Sequence, residues 1–218
     1  MTISMRISLL CSDKQHPVND YLLSWVEKQQ RDHQIELVRY KKELSGGDLL
    51  FLISCTELIN SQERAMYNAT LVLHASDLPY GRGWSPHIWQ IIEGKEQITL
   101  SLLEAEDKVD SGRIWKKVKL FIPSYALWEE INDLLFNAEI ELIDYAVQHY
   151  VDIVPIAQDD SVEASYYPRR TPEDSLIDPN SSIRSQFNLL RICDPHRFPA
   201  YFYLKGKKYK LILEKIDD

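Results

Sequence analysis

The sequence predicts an α/β fold, a Rossmann-like core with a mostly parallel sheet, and three observations carry that prediction. Short apolar runs alternate with stretches whose apolar residues recur at helical spacing, the pattern of strand–helix–strand units. One run, Leu49 to Ile53, is apolar at every position, which suits a strand covered on both faces. Finally, 218 residues, 44% hydrophobic and 27% charged, suffice for a sizeable core.

In chain order, Met5 to Cys11 reads as the first strand. His16 and Pro17 open a helix, since proline suits a first turn, and Val18, Tyr21, Leu22, Trp25 and Val26 share one face of it. Gln34 to Tyr40 is a second strand, Gly46–Gly47 a turn, and Leu49 to Ile53 a third strand. A short helix around Gln62 to Tyr67 leads to the apolar strand Ala69 to His74. Ser85 and Pro86 read as cap and first turn of a helix carrying Ile88, Trp89, Ile91 and Ile92, ended by Gly94. Ile98, Leu100 and Leu102 alternate as a strand. Ile114, Lys116, Val118 and Leu120 form one face of the next, opposite Trp115, Lys117, Lys119 and Phe121. Ala126 to His149 is the longest helix, a brace for the sheet, with Leu127, Ile131, Leu134, Leu135, Ala138, Leu142 and Tyr145 at helical spacing. Four prolines between Val151 and Ser182 mark an extended arm. Tyr201 to Leu204 and Tyr209 to Leu213, separated by K-G-K-K, read as a terminal β-hairpin.

Composition excludes several classes. A net charge of -8 weighs against a nucleic-acid partner, because phosphate contacts need a positive surface. Cys11, Cys55 and Cys193 are odd in number and lack C-x-x-C spacing, so they read as buried thiols in a reducing compartment and not as a disulfide framework or a zinc site. The apolar run at the N-terminus is short and followed by charge, so no signal peptide is expected; no run approaches bilayer length. The expectation is a cytoplasmic protein with no membrane partner and no metal. P-loop, G-x-G-x-x-G and G-x-S-x-G motifs are absent from the sequence.

Functional density lies in His74 to Trp115, which holds four of seven glycines and three of five tryptophans, a loop shaped around something. His74 ends an apolar strand, and Asp110 follows 36 residues later in a D-S-G turn. In parallel sheets, ligands sit beyond the carboxyl ends of the strands. Taken singly, a strand-end histidine and a D-S-G aspartate are ordinary structure.

Together, the run H-A-S-D-L-P-Y-G-R-G from His74 and the turn at Asp110 resemble the N10-formyltetrahydrofolate-dependent formyltransferases. That family is marked by a histidine opening an S-L-L-P-x-x-R-G loop, and by a later D-[ST]-G turn at matching separation. The nearest likeness is to short sugar-nucleotide N-formyltransferases of surface-glycan and pseudaminic-acid pathways. The formylation domain of linear gramicidin synthetase is similar. The arm Tyr166 to Asp178 also resembles the family's post-helix segment.

The resemblance implies residues 1–150 as a formyltransferase catalytic domain, with 151–218 as an arm and hairpin packed on it. It implies transfer of a formyl group from N10-formyltetrahydrofolate to the amine of a nucleotide-linked amino sugar. A UDP-linked 4-amino-4,6-dideoxy sugar of pseudaminic acid biosynthesis is the specific expectation. Glycinamide ribonucleotide, a carrier-bound aminoacyl group, and a non-catalytic folate- or nucleotide-binding module are the alternatives. Methionyl-tRNA formyltransferases carry a further C-terminal barrel, so the short terminus here argues against that substrate.

Formyl transfer to an amine passes through a tetrahedral carbon bearing an oxyanion, so the site must accept a proton and stabilise a negative oxygen. His74 is the expected base, with Asp110 orienting it. The pterin is expected between Ser54, Cys55 and Leu58 on one side and Glu104 to Val109 on the other. Arg82, Gly83 and Trp84 are expected at the substrate, Arg82 against a diphosphate. His87 is given no role. Arg169 and Arg170 either bind phosphate or pair with Glu173 and Asp174. The sequence departs from the family at Val72, where an asparagine is usual; His74 with backbone or water donors, or else Ser54 or Asn68, would take its place. A homodimer through the hairpin or the long helix is left open.

Overall fold

The computed structural model describes residues 4–216. Its first half runs β1 (Arg6–Leu10), α1 (Val18–Gln29), β2 (Gln34–Val38), β3 (Gly47–Leu52), α2 (Ser61–Arg64) and β4 (Tyr67–His74). Then come β5 (Arg82–Gly83), α3 (Pro86–Ile92), β6 (Gln97–Glu104), β7 (Ile114–Phe121) and α4 (Trp128–His149). The remainder contributes β8 (Tyr166–Tyr167), α5 (Ile183–Arg191), β9 (Ala200–Leu204) and β10 (Lys207–Leu211).

Six strands form the central sheet in the order β2-β1-β3-β4-β6-β7, the first four parallel and the last two antiparallel. The α/β class and the mostly parallel sheet are as the sequence predicts. Leu9, Leu49, Phe51, Leu71, Leu100 and Leu102 from the sheet pack in one cluster with Val18, Leu22 and Trp25 of α1 and Ile131, Leu135 and Leu142 of α4. The spacing read as one helical face is largely the face these helices bury, but Leu134 of α4, expected among them, is exposed.

Several local expectations are corrected by tertiary context. Strand β6 does not alternate: Ile98 to Leu103 are all buried, because the strand lies between β4 and β7 with both faces covered. Helix α2 stops at Arg64, capped by the Asn60 side chain on the Gln62 and Glu63 amides, and Tyr67 already belongs to β4. Ser85 precedes α3 in a left-handed conformation (φ 44°) and its side chain makes no cap bond. The hairpin turn is Lys205–Gly206, not the whole K-G-K-K run; both residues have positive φ (49° and 74°), as a two-residue turn between twisted strands requires.

Residues 183–199, unassigned from sequence, contain α5. Ser182 caps it by accepting from the Ser185 amide at 3.1 Å. Arg191, 1% exposed, anchors it by donating to the Pro123 and Ala126 carbonyls at 3.0 and 3.2 Å. Leu190, Ile192, Cys193 and Ala200 join the same core cluster as the sheet. No helix among the described residues is long and apolar enough to cross a membrane.

Candidate functional site

Strand β4 delivers His74 at its carboxyl end, between β3, where Leu52 pairs Val72, and β6, where Ser101 pairs His74. The imidazole is buried, and its Nε2 lies 2.8 Å from the Gly81 carbonyl oxygen. A carbonyl only accepts, so Nε2 carries the hydrogen. The other nitrogen, Nδ1, lies 3.5 Å from Asp110 Oδ1, with both side chains nearly sealed from water. The separation falls within ion-pair range and is longer than a short hydrogen bond.

Asp110 reaches the pair from the loop joining β6 and β7. Its backbone is left-handed (φ 55°), and the turn is closed by Ser111 Oγ donating to the Lys108 carbonyl at 2.7 Å. Its second carboxylate oxygen accepts from the Gly83 amide at 2.9 Å. The carboxylate therefore faces the ring with one oxygen and holds the loop after His74 with the other.

The glycines of that loop answer to the chain itself. Strand β5 pairs in parallel with β8 of the arm, Arg82 with Tyr166 and Gly83 with Tyr167. Ser165 adds its hydroxyl to the Gly81 amide at 2.8 Å and its carbonyl to the Arg82 amide at 2.9 Å. Gly83 has φ 99°, and a Cβ there would fall 2.4 Å from the Tyr167 carbonyl oxygen. Gly83→Ala is thus expected to destabilise the chain by about 1–3 kcal/mol. The arm should also become protease-sensitive near residues 159–164; an unchanged urea midpoint and unchanged cleavage would count against this account.

Not every expected residue faces the pair. Arg82 is turned inward, 6% exposed: its Nη2 donates to Gln158 Oε1 at 2.7 Å, while its Nε is buried without a partner. Trp84 remains partly exposed, with the Arg169 guanidinium 5.0 Å from its ring centre. Neither Arg169 nor Arg170 pairs with Glu173 or Asp174: Arg170 donates to Ser175 Oγ at 2.9 Å, and Asp174 is taken by the Thr171 amide at 2.6 Å. Asn68 sits near the start of β4, bonded to Asp48 at 3.0 Å. Strand rise puts it roughly 20 Å from His74, too far to replace the family asparagine.

Around the expected cofactor loops, Leu58 and Val109 expose apolar side chains. Ser54 is left-handed (φ 47°), with Oγ 3.2 Å from His16 Nε2. Burial pushes the Cys55 thiol up, so it remains a thiol. Glu104 is bound by Arg113 at 2.7 and 3.1 Å and by the Trp115 indole at 3.2 Å.

Two further histidines have depressed pKa values, and one of them, His87, feels the charge of His74. Desolvation, followed by the positive charge of Arg197, pushes His16 down to about 4. Desolvation, then His16, His74 and Arg170, pushes His87 down to about 3. Both are neutral at neutral pH and can accept as well as donate. Sequence reasoning also missed Gln158, Ser165 and Ser76, whose buried hydroxyl has no partner two residues past His74. Isolated polar residues in an aperiodic arm or loop carry no pattern that would mark them.

No family model matches the chain. It is 30% identical over 141 residues to a methionyl-tRNA formyltransferase of Bacillus licheniformis, covering 64% of this chain and 44% of that protein. The chain thus spans less than half the length of this curated relative. Among solved structures, a methionyl-tRNA formyltransferase from Clostridium thermocellum superposes with a TM-score of 0.83 at 20% identity, over 98% of this chain and 94% of that one. HypX from Aquifex aeolicus in complex with tetrahydrofolic acid gives 0.79 at 21% identity, over 96% and 37%. A sugar N-formyltransferase from Shewanella gives 0.73 at 14% identity, over 98% and 99%. At such identities the structural likeness shows the fold alone.

Proposed function

The sequence match and the shared fold support the formyltransferase family, and from that premise we propose that this chain transfers a formyl group from N10-formyltetrahydrofolate to an amine. The observation that carries this reading is the buried His74–Asp110 pair at the carboxyl end of β4. The folate, when bound, supplies an activated formyl carbon. The chain's own task is to take the proton that the attacking nitrogen gives up and to stabilise the oxygen that becomes negative. Asp110 faces the positive charge the ring acquires on taking that proton. Nε2 carries a hydrogen bonded to the Gly81 carbonyl, so it can take the substrate's proton only after that hydrogen has passed to Nδ1, on the Asp110 side, and the carbonyl has moved aside. With Val72 apolar and Asn68 distant, the oxyanion is left to His74 with backbone or water donors, or to Ser54.

The residues present fit a flat heteroaromatic group. Leu58 and Val109 offer exposed apolar surface on the two loops expected to flank it. Glu104 is engaged by Arg113 and Trp115, so backbone groups of Ser54, Cys55 and the Glu104–Val109 segment are left to make its polar contacts.

For the acceptor we favour a nucleotide-linked amino sugar, with a UDP-linked 4-amino-4,6-dideoxy sugar of pseudaminic acid biosynthesis as the specific case. Trp84, carrying Arg169 on its ring, and the exposed Tyr166 offer aromatic faces on which a sugar or base can stack. A second acceptor, an aminoacyl group on tRNA, is favoured by the curated relative's name, and chain length does not separate the two, since one structure of that name is matched over 94% of its length. A net charge of -8 opposes a polyanionic partner.

The test is a panel of UDP- and dTDP-amino sugars, glycinamide ribonucleotide and methionyl-tRNA, each incubated with N10-formyltetrahydrofolate and the purified chain, with products read by mass spectrometry. A formylated amino sugar is expected. Formyl-methionyl-tRNA alone would move the acceptor to the second reading, and no product from any acceptor would remove the enzymatic one.

A further inference from the structure

We propose that Gln158 is a positioning residue for the His74–Asp110 pair, a role that rests on the formyl-transfer reading above. Its side-chain amide donates to the carbonyls of Asp110 at 2.8 Å and Gly112 at 2.9 Å. Its amide oxygen accepts from Arg82 Nη2 at 2.7 Å. Both hydrogens and the oxygen are used, and only one orientation fits. Flipped, the oxygen would face two carbonyls and the NH2 group would face a guanidinium.

The arm's own geometry delivers the residue. Ile156 bridges Ile114 at the start of β7, with reciprocal amide–carbonyl bonds of 2.7 and 2.9 Å. Two residues on, Gln158 therefore lies against the turn 110–112. Asp110 occupies a left-handed conformation, which aspartate tolerates better than most residues but which is still uncommon outside glycine, so bonds on either side of it help fix the turn. The two donated bonds bracket Ser111 from either side.

The third bond joins this turn to the loop after His74. Arg82 precedes Gly83, whose amide binds the Asp110 carboxylate at 2.9 Å. The contacts close a ring: Asp110 carbonyl, Gln158, Arg82, Gly83 amide, Asp110 carboxylate. One side chain from the arm thus sets both where the carboxylate is carried and what its second oxygen meets. Gln158 touches only protein in these bonds, so it acts on the chemistry through Asp110.

Two variants test this, Gln158→Ala and Gln158→Glu, the second keeping an acceptor for Arg82 while setting an oxygen against two carbonyls. Each is expected to lower kcat by about 10- to 100-fold, with KM for the folate donor changed by less than about threefold. In an Asp110→Asn background the same substitutions should cost less than about twofold, since the partner they act through is already disabled. Equal losses in both backgrounds would reduce Gln158 to a structural residue and overturn the proposal.

A readout free of catalysis separates this from the reaction itself. In protein with 15N-labelled histidine, the His74 ring signals, assigned by their loss in His74→Gln, should move in Gln158→Ala in the direction that Asp110→Asn moves them. Signals held at their wild-type positions in a folded Gln158→Ala or Gln158→Glu chain, checked by thermal melting, would sink the positioning role whatever the activity. Moved signals in a chain that formylates no acceptor would uphold the positioning and discard the reaction.

Discussion

His74→Gln is expected to lower kcat for formyl transfer by about 10²–10⁴-fold while leaving the chain folded. Glutamine can still donate to the Gly81 carbonyl, the bond that His74 Nε2 makes at 2.8 Å, so the loop keeps its anchor. It cannot take up a proton, and it carries no charge for Asp110 to face. Asp110→Asn isolates the second half of the pair. Its amide oxygen can retain the Gly83 amide bond of 2.9 Å, while the negative charge 3.5 Å from Nδ1 is removed. Asparagine should therefore also lose rate, with a melting temperature close to wild type. The wild-type rate should decline toward acidic pH, because the acceptor amine attacks as its neutral form. Steady-state kinetics on the acceptor that the panel identifies is the measurement. A His74→Gln enzyme within a fewfold of wild type, or a flat profile from mildly acidic to neutral pH, would refute the assignment.

Glu139 is expected to limit stability at neutral pH, and Glu139→Leu to raise it. The side chain lies on the buried face of α4 between Phe136 and Leu142, 8% exposed, with Oε2 unbonded. Desolvation raises its carboxyl from the ordinary 4.5 to about 8. The sign follows from proton counting. Below the unfolded value both states hold the proton and the neutral carboxyl's contribution is complete. Between 4.5 and 8 the unfolded chain releases the proton while the folded chain keeps it, so stability drains away as pH rises.

Across that window the loss is roughly 3–5 kcal/mol. Leucine removes the titration and fills the site with an apolar chain, so the gain at pH 8 should be of that order, roughly 6–20 °C in melting temperature. His16 and His87 act in the opposite sense. Held neutral in the fold, they forfeit stability as pH falls below their ordinary 6.5. Subtracting variant from wild type at each pH cancels their part. Urea denaturation of both chains between pH 5 and 8.5 is the check; parallel curves would show that Glu139 is charged or solvated in the fold.

Particular residues show where sequence reading succeeds and where it stops. Leu49 to Ile53 announces a strand sealed on both sides because continuous apolarity has few other uses, and that run lies at the centre of the sheet. The helical faces of α1 and α4 are legible for the same reason, since burial has a period and the period is written in the chain. Helix α5 does carry a local signal, a Ser182 cap followed by Ile183, Phe187 and Leu190 at helical spacing, but its place is set by Arg191 on carbonyls 65 and 68 residues away. The alternation read in β6 did not survive, because a strand's exposure depends on its neighbours and not on its own residues.

The site divides along the same line. His74 and Asp110 could be paired in advance because their residue types and separation form a pattern, and the fold brings them within 3.5 Å. The glycines around them were read as room for a ligand, yet Gly83 makes way for the Tyr167 carbonyl, and a Cβ on Gly112 would lie 1.9 Å from the Glu104 carbonyl oxygen. Arg82 reads in sequence as a phosphate contact, and the fold turns it inward with one guanidinium nitrogen on Gln158, 76 positions later. Periodic burial and strand-end chemistry are local properties, so linear order encodes them. Which glycine meets which carbonyl, and which arginine is left facing solvent, follows only once the arm is laid beside the loop, because those partners meet through folding and share no spacing along the chain.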